Sequence, residues 1–192
     1  MIQIYVMDIS KLKEKEYFER AYALSDLRRQ QKADALNTAA GKACCIGAGL
    51  LLSFVLKKWG IFLKDEVLEY NEYGKPYLKK YDHVFFNLSH SGCMVACVVG
   101  DVPCGVDIQK VQTCNLKLAD RFFAHEEAAH LRQVKDQRER DILFTSLFSE
   151  KESHAKRDGT SAVLVLGQKA DIPYYRKILQ IKGDAYVLTV TI

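Results

Sequence analysis

The chain has 192 residues, enough for one large domain or two small ones, and a core of this size needs no disulfide or metal to hold it. Hydrophobic residues make up 48% and charged residues 27%, which excludes a disordered chain. Lys and Arg outnumber Asp and Glu by 28 to 24, and the resulting net charge of +4 suits an anionic small ligand or an acidic protein partner. It is too weak for a protein that coats nucleic acid, so no nucleic-acid partner is expected.

Hydrophobic periodicity and turn residues define the elements of the first half. Alternating apolar residues indicate strands, a long apolar segment indicates a core helix, and Gly with Pro marks a turn. The predicted elements are, in chain order, a strand at 2–7, a polar helix at 26–35, a long helix at 38–59 ended by Gly60, a turn at 71–77, and strands at 83–88 and 94–99.

The second half repeats the order of helix followed by a strand hairpin. Its predicted elements are a strand at 105–109 that pairs with 94–99 as a hairpin, helices at 125–134 and 139–157, and strands at 177–181 and 185–192. We therefore expect an α+β fold with a boundary near Val102 and Pro103, which divides the chain into residues 1–102 and 103–192.

No signal for a membrane or a metal cluster stands out. The longest apolar run, 46–56, is shorter than the roughly 20 residues that cross a bilayer, and the start of the chain does not look like a signal peptide. The six cysteines contain no C-x-x-C spacing, so neither a disulfide framework nor a cysteine metal site is predicted. We expect a cytoplasmic protein with no membrane partner.

Two short segments could supply oxygen ligands to a cation. Asp107 and Gln109 share one face of a strand while their neighbours enter the core, and a carboxylate with an amide suits a hard cation. Glu152 borders the apolar stripe of a helix, with Lys156 one turn on. The alternatives are a solvated Asp at a strand end and an exposed Glu–Lys pair on a helix.

Further residues could contact phosphate. Ser89 and His90 end a strand and can donate hydrogen bonds to phosphate oxygens. Basic residues precede them in the chain: Arg28, Arg29, Lys32, Lys42 and Lys75. Taken one at a time, these side chains are ordinary surface charges that serve solubility.

Six motifs follow one another in a consistent order. They read R-R-x-x-K-A-D at 28–34, N-x-x-G-K-P-Y at 71–77, F-N-L-S-H-S at 86–91, G-V-D-I at 105–108, F-F-x-x-E-E at 122–127 and K-E-S-x-x-K at 151–156. Each motif is short, but the ordered set resembles the surfactin-type 4′-phosphopantetheinyl transferases over most of the chain.

This resemblance implies the fold and the reaction. It implies two similar α/β halves related by a pseudo-twofold axis, with coenzyme A between them, in a protein that we expect to be a monomer. The pantetheine arm of coenzyme A would move to a serine of an apo acyl or peptidyl carrier protein in a reaction that requires Mg²⁺. Adenosine 3′,5′-bisphosphate would be released.

The resemblance also implies residue roles. Asp107, Gln109 and Glu152 would bind the metal, and Asp107, Glu152 and Lys156 would be catalytic, with Glu152 as the base. The residues expected to bind coenzyme A are Arg28, Lys32, Lys42, Lys75, Ser89 and His90 towards the 3′-phosphate, and Lys151 and Lys156 along the pyrophosphate.

Two other readings of the sequence stay open. The chain could be a non-catalytic module that binds coenzyme A or a carrier protein, or a weak nucleic-acid binder that uses the basic segment 28–42. For an acidic carrier, the expected docking residues are Lys110, Lys117, Leu118, Arg121 and Phe122. The alternative for that segment is the start of a solvated helix with Phe122 in the core.

Overall fold

A computed structural model describes residues 1–63, 68–161, 167–169 and 174–192 and shows a mixed α+β fold. The strands are β1 (Ile2–Asp8), β2 (Leu68–Tyr70), β3 (Pro76–Leu78), β4 (Phe85–Ser91), β5 (Met94–Gly100), β6 (Gly105–Lys110), β7 (Tyr174–Ile181) and β8 (Asp184–Thr191). The helices are α1 (Lys15–Leu24), α2 (Leu27–Asp34), α3 (Ala39–Lys58), α4 (Leu116–Phe122), α5 (His125–Gln133) and α6 (Gln137–Asp158), and a short 3₁₀ turn covers Ser10–Lys13.

The long helix α3 confirms the predicted core helix. Thr38 caps its first turn by accepting a hydrogen bond from the Gly41 amide, and the helix ends before Gly60, whose φ is +75°. By length and composition α3 could cross a membrane, which the shorter apolar run 46–56 did not indicate. In this structure 61% of the most apolar stretch of α3 is buried, because the helix packs on the first sheet.

Two antiparallel sheets of three strands share one connectivity. Their strand orders are β1-β5-β4 and β6-β8-β7, so in each sheet the last strand in the chain lies in the middle. The predicted turn at 71–77 forms a separate small hairpin with β2 and β3. The helix α1 was not predicted from the sequence, and a helix in the region of α4 was expected only as the alternative for the docking segment.

The expected hairpin between 94–99 and 105–109 is wrong. β5 is paired on one side with β1 and on the other with β4, so neither of its edges is open to a third strand. β6 instead pairs with β8, with Val106 opposite Val190. Pro103 lies in the short connection that takes the chain from one sheet to the other.

The two sheets pack on each other, and each carries a helix on its outer face. Between the sheets lies an apolar cluster that includes Met94 and Val98 from β5 and Val106 and Ile108 from β6. α3 covers the first sheet and α6 covers β6 and β8. Because side chains alternate along a strand, Asp107 faces α6 rather than the cluster between the sheets.

Side chains, rather than a backbone ladder, join the edges of β4 and β6. Polar residues at every second position of β4 accept the amide hydrogens of alternate residues of β6, which we call the side-chain seam. Its bonds run from Val106 N to Asn87 Oδ1 (3.0 Å), from Ile108 N to Ser89 Oγ (3.2 Å) and from Lys110 N to Ser91 Oγ (3.0 Å). The constant offset in residue number means that the two strands run in the same direction.

Gly105 is predicted to be required for the close contact between β6 and α6. A methyl group at this position would lie 2.0 Å from Ser153 O and 2.4 Å from Arg157 N, both backbone atoms that cannot turn away. We expect Gly105→Ala to lower the free energy of unfolding by about 3 kcal/mol, the upper end for overpacking, as measured by urea denaturation.

Gly60→Ala is the matched control, because a methyl group there meets no atom within 4 Å and strain at φ +75° is its only cost. We expect that control to lose about 1 kcal/mol. Equal losses in the two variants would contradict the importance of the close contact.

Candidate active site

Helix α6 brings two charged side chains, Glu152 and Lys156, to the middle of the seam. Lys156 donates to Asp107 Oδ1 at 2.6 Å and to Ser89 Oγ at 3.2 Å, and its Nζ lies 3.8 Å from Glu152 Oε2. Glu152 and Lys156 are one turn apart on the helix, as the sequence spacing predicted. We call these four residues the carboxylate–lysine group.

Asp107 is the centre of this group. Its side chain is 0% exposed, and its Oδ1 accepts hydrogen bonds from Ser89 at 2.8 Å and from Lys156. Its Oδ2 is also buried but has no hydrogen-bond partner among the residues that the structure describes. A buried carboxylate oxygen without a partner carries a desolvation cost, so it is a position where a bound cation would be favoured.

Glu152 supplies a second carboxylate beside Asp107. Desolvation raises the pKa of Glu152 above its ordinary value and the charge of Asp107 raises it further, while Lys156 lowers it. Across the described ranges, no cluster of three His, Cys, Asp or Glu residues could hold a metal ion. Two carboxylates nevertheless fit Mg²⁺, which binds one or two protein carboxylates and fills its other positions with water and phosphate oxygens.

Gln109, the expected third metal ligand, lies on the same face of β6 as Asp107. Its Oε1 accepts a long hydrogen bond from Ser91 Oγ at 3.4 Å, and its side chain also lines the apolar cavity between α4 and α6. Metal binding by Gln109 stays a prediction.

His90 is exposed beside the carboxylate–lysine group. Desolvation lowers its pKa, and the charges of Lys156 and Lys32 lower it further against the opposing effect of Asp107. Lys32 therefore lies within electrostatic reach of His90, and its Nζ is 5.8 Å from the centre of the Tyr70 ring. Two of the residues expected to bind phosphate thus lie on one basic surface.

Arg28 and Lys42 are not brought to that surface by any described contact. Arg28 is exposed on α2, and Lys42 is partly buried in the first turns of α3. Their roles in binding coenzyme A stay predictions.

Lys75 ties the turn at 71–77 to the end of α6. Its ammonium donates to Arg157 O at 2.7 Å and to Cys104 O at 3.3 Å, and desolvation lowers its pKa. Asn71 Nδ2 donates to Gly159 O at 2.7 Å. A cation is favourable at a helix C-terminus, so in this structure Lys75 acts as an anchor for the helix that carries Glu152 and Lys156.

Lys151 lies away from the carboxylate–lysine group. It is 2% exposed, and its ammonium contacts Glu127 Oε2 at 2.9 Å, Glu127 Oε1 at 3.2 Å and Gln168 O at 2.6 Å. These three acceptors match the three hydrogens of an ammonium group. The structure does not bring Lys151 to Lys156, and its expected position along a pyrophosphate stays a prediction.

The expected docking segment lies beside an apolar cavity. Phe122 is half-buried, with the Arg121 guanidinium 5.0 Å from its ring centre, while Leu118 is exposed and Lys110 pairs with Asp184. The cavity, of about 220 Å³, is lined by Gln109, Gln112, Leu118, Phe122, Phe123, Phe144, Thr145 and Phe148. Phe122 thus fits neither the docking interpretation nor the core interpretation alone, since its ring is partly buried and partly exposed.

Sequence reasoning missed several residues that hold the site. Asn87 and Ser91 extend the seam, Glu127 pairs with Lys151, and Asn71 binds the end of α6. The two-residue spacing of Asn87, Ser89 and Ser91 was a usable signal, because it places small polar side chains on one face of a strand.

The buried pair of Lys151 and Glu127 generates a stability prediction. Lys151→Met leaves a nearly buried carboxylate without its cation, so we expect a loss of about 3 kcal/mol in the free energy of unfolding. Adding Glu127→Gln should recover part of that loss, because the unpaired charge is then removed. Lys15→Met is the control, since its pair with Glu19 is exposed, and it should change stability by less than about 1 kcal/mol. Equal effects of Lys151→Met and Lys15→Met in urea denaturation would contradict the assignment.

Comparisons with known proteins agree with the sequence motifs. Residues 103–178 match the family model of the 4′-phosphopantetheinyl transferase superfamily. The chain is 35% identical over 121 residues to the 4′-phosphopantetheinyl transferase Sfp of Bacillus subtilis, which covers 63% of this chain and 54% of that protein.

Two further relatives carry the same description. The chain is 32% identical to the 4′-phosphopantetheinyl transferase gsp of Aneurinibacillus migulanus over 114 residues, 59% of this chain and 47% of the relative. It is 27% identical to the 4′-phosphopantetheinyl transferase AcpT of Salmonella typhi over 124 residues, 63% of this chain and 64% of the relative. The matches thus span about half the length of the first of these relatives. They agree with the resemblance found in the sequence, and the chain is similar to the 4′-phosphopantetheinyl transferase superfamily over residues 103–178.

Proposed function

We propose that this protein transfers the 4′-phosphopantetheine arm of coenzyme A to a serine hydroxyl of an apo acyl or peptidyl carrier protein, with Mg²⁺ bound. The observation that carries this proposal is the buried Asp107 carboxylate, which is held by Lys156 beside Glu152 and keeps one oxygen without a partner in the described part of the chain. The names of the curated relatives support the same reaction class.

Asp107 and Glu152 would hold the metal, with Gln109 as a candidate third ligand. When bound, Mg²⁺ would offset the negative charge of the pyrophosphate of coenzyme A. The described residues offer a second positive charge to the phosphates, because the Lys156 ammonium lies between the two carboxylates at the surface of α6.

Glu152 is the proposed general base. The attacking serine oxygen forms a bond to the β-phosphorus of coenzyme A, its proton passes to the Glu152 carboxylate, and the bond to the leaving phosphate breaks. Adenosine 3′,5′-bisphosphate carries away the electron pair. Glu152 is the second carboxylate of the group, 3.8 Å from the Lys156 ammonium, which makes it the candidate to accept that proton.

Coenzyme A is proposed to lie between two similar halves, residues 1–102 and 103–192. The identical strand orders of the two sheets support a pseudo-twofold relation between these halves. Ser89 comes from the first half and accepts a hydrogen bond from Lys156 of the second half, and His90, also of the first half, lies within electrostatic reach of Lys156. A ligand that contacts both His90 and Lys156 would therefore bridge the proposed boundary.

We further propose that the protein acts as a monomer in the cytoplasm, without a membrane or nucleic-acid partner. Its modest net charge of +4 and the burial of the most apolar stretch of α3 support this proposal. Light scattering on the purified protein would measure its oligomeric state.

Loss of either carboxylate is predicted to stop transfer. Asp107→Asn and Glu152→Gln keep the side-chain shape but remove a charge that binds the metal, and we expect the rate to fall at least about 100-fold. The assay incubates each variant with coenzyme A, Mg²⁺ and a panel of apo carrier proteins, and measures the added mass of the carrier.

Lys15→Met serves as a surface control that should keep the wild-type rate. Near-normal rates for both carboxylate variants at saturating Mg²⁺ would contradict the proposed site. A wild-type protein that binds coenzyme A but modifies none of the carriers would instead support the non-catalytic binding module.

His90 is predicted to affect affinity for coenzyme A more than the chemical step. Its imidazole lies on the basic surface with Lys32, where it can donate to a phosphate group remote from the bond that breaks. Wild type should prefer coenzyme A over 3′-dephospho-coenzyme A, and His90→Ala should lose most of that preference in kcat/KM. An unchanged preference would refute contact between His90 and the 3′-phosphate.

A further inference from the structure

We infer that Ser89 is a positioning residue for Asp107, and that its hydroxyl does not bind the 3′-phosphate of coenzyme A. This inference rests on the proposed function, because it concerns the carboxylate that would hold the metal. It departs from the role that the family resemblance implies for Ser89, and it follows from the hydrogen bonds of one buried hydroxyl group.

The hydroxyl of Ser89 has no bonding capacity left. The residue is 6% exposed, and its Oγ donates to Asp107 Oδ1 at 2.8 Å. It accepts from the Ile108 amide at 3.2 Å and from the Lys156 ammonium at 3.2 Å. A hydroxyl has one hydrogen and two acceptor lone pairs, so all three are used. A phosphate oxygen would need that one hydrogen, which already belongs to Asp107.

These bonds select one oxygen of the Asp107 carboxylate. The terminal torsion of an Asp side chain is broad, so burial alone does not decide which oxygen points where. Ser89 and Lys156 both donate to Oδ1, and Oδ2 keeps no partner among the described residues. The hydroxyl therefore helps hold Oδ1 in place and leaves Oδ2 directed at a position where a cation would bind.

The seam makes this contact rigid. Ser89 is held by the amide of Ile108, the residue next to Asp107, so the hydroxyl and the carboxylate share one length of backbone. Asn87 and Ser91 fix the same register on either side. Buried groups that orient a metal ligand in this way tune metal affinity, although they never touch the metal.

Ser89 and His90 therefore separate into two roles despite being adjacent. Successive side chains of a strand point to opposite faces, so Ser89 faces the seam while His90 lies on the other face. Burial agrees with this division, because Ser89 is buried and His90 is exposed. Only His90 of the two can offer a free donor to an incoming phosphate.

The test compares Ser89→Ala with Asn87→Ala, a control that removes a seam bond without touching the carboxylate–lysine group. Titration with Mn²⁺, followed by electron paramagnetic resonance without coenzyme A, reports metal affinity independently of activity. We expect Ser89→Ala to weaken Mn²⁺ binding at least about tenfold, and Asn87→Ala to leave it within about twofold of wild type. Ser89→Ala should also keep the wild-type preference for coenzyme A over 3′-dephospho-coenzyme A.

Each other outcome overturns the inference. Loss of the coenzyme A preference with unchanged Mn²⁺ affinity would make Ser89 a phosphate ligand. Equal weakening by Ser89→Ala and Asn87→Ala would make the seam a packing feature only, and a wild-type protein that binds no Mn²⁺ would remove the site itself.

A second variant covers the case in which Ser89→Ala does not fold. Ser89→Cys keeps an atom at the same place but donates poorly, so it should weaken Mn²⁺ binding as well. Full Mn²⁺ affinity in Ser89→Cys would overturn the inference. Failure of the proposed function gives a different result: the carriers gain no mass, although Mn²⁺ binding still depends on Ser89.

Discussion

The contact between Lys156 and the fully buried Asp107 carboxylate is the constraint on which the rest of this structure depends. A carboxylate placed inside a protein is costly unless a cation and hydrogen bonds offset its desolvation. Helix α6 can deliver that cation because Gly105 lets the helix backbone approach β6 closely. Lys75 holds the far end of the same helix by donating to the Arg157 carbonyl. The close packing at Gly105 and the Lys75 contact at the helix end therefore both help to place the Lys156 ammonium at Asp107 Oδ1.

The chemistry of the group was predictable from local patterns. Strand alternation placed Asp107 opposite its apolar neighbours, and helix spacing placed Glu152 one turn from Lys156. The same helix periodicity places Lys151 and Lys156 about 140° apart around the helix axis, which explains why Lys151 can pair with Glu127 away from Lys156. The family resemblance implied both lysines along one pyrophosphate, and for Lys151 that role stays a prediction.

Long-range partners were not predictable, because nothing local encodes them. The strand at 105–109 was recognised, but its pairing with β8 depends on both edges of β5 being occupied by segments far apart in the chain. The anchoring role of Lys75 depends on a backbone carbonyl 82 residues away, which no side-chain motif can reveal. The spacing of the polar residues on β4 was visible in the sequence. Their role as acceptors could not be inferred, because it depends on β6 lying beside β4 in the fold.

The seam has a consequence for self-association. An edge strand normally presents a row of free amide hydrogens that can recruit a strand from another molecule. On β6 the amides of Val106, Ile108 and Lys110 are already taken by side chains of β4, while β8 pairs with the other side of the strand. β6 therefore cannot offer these amides to an added strand, although no backbone ladder covers that edge. The polar residues of β4 that form the seam thus also oppose aggregation at this edge.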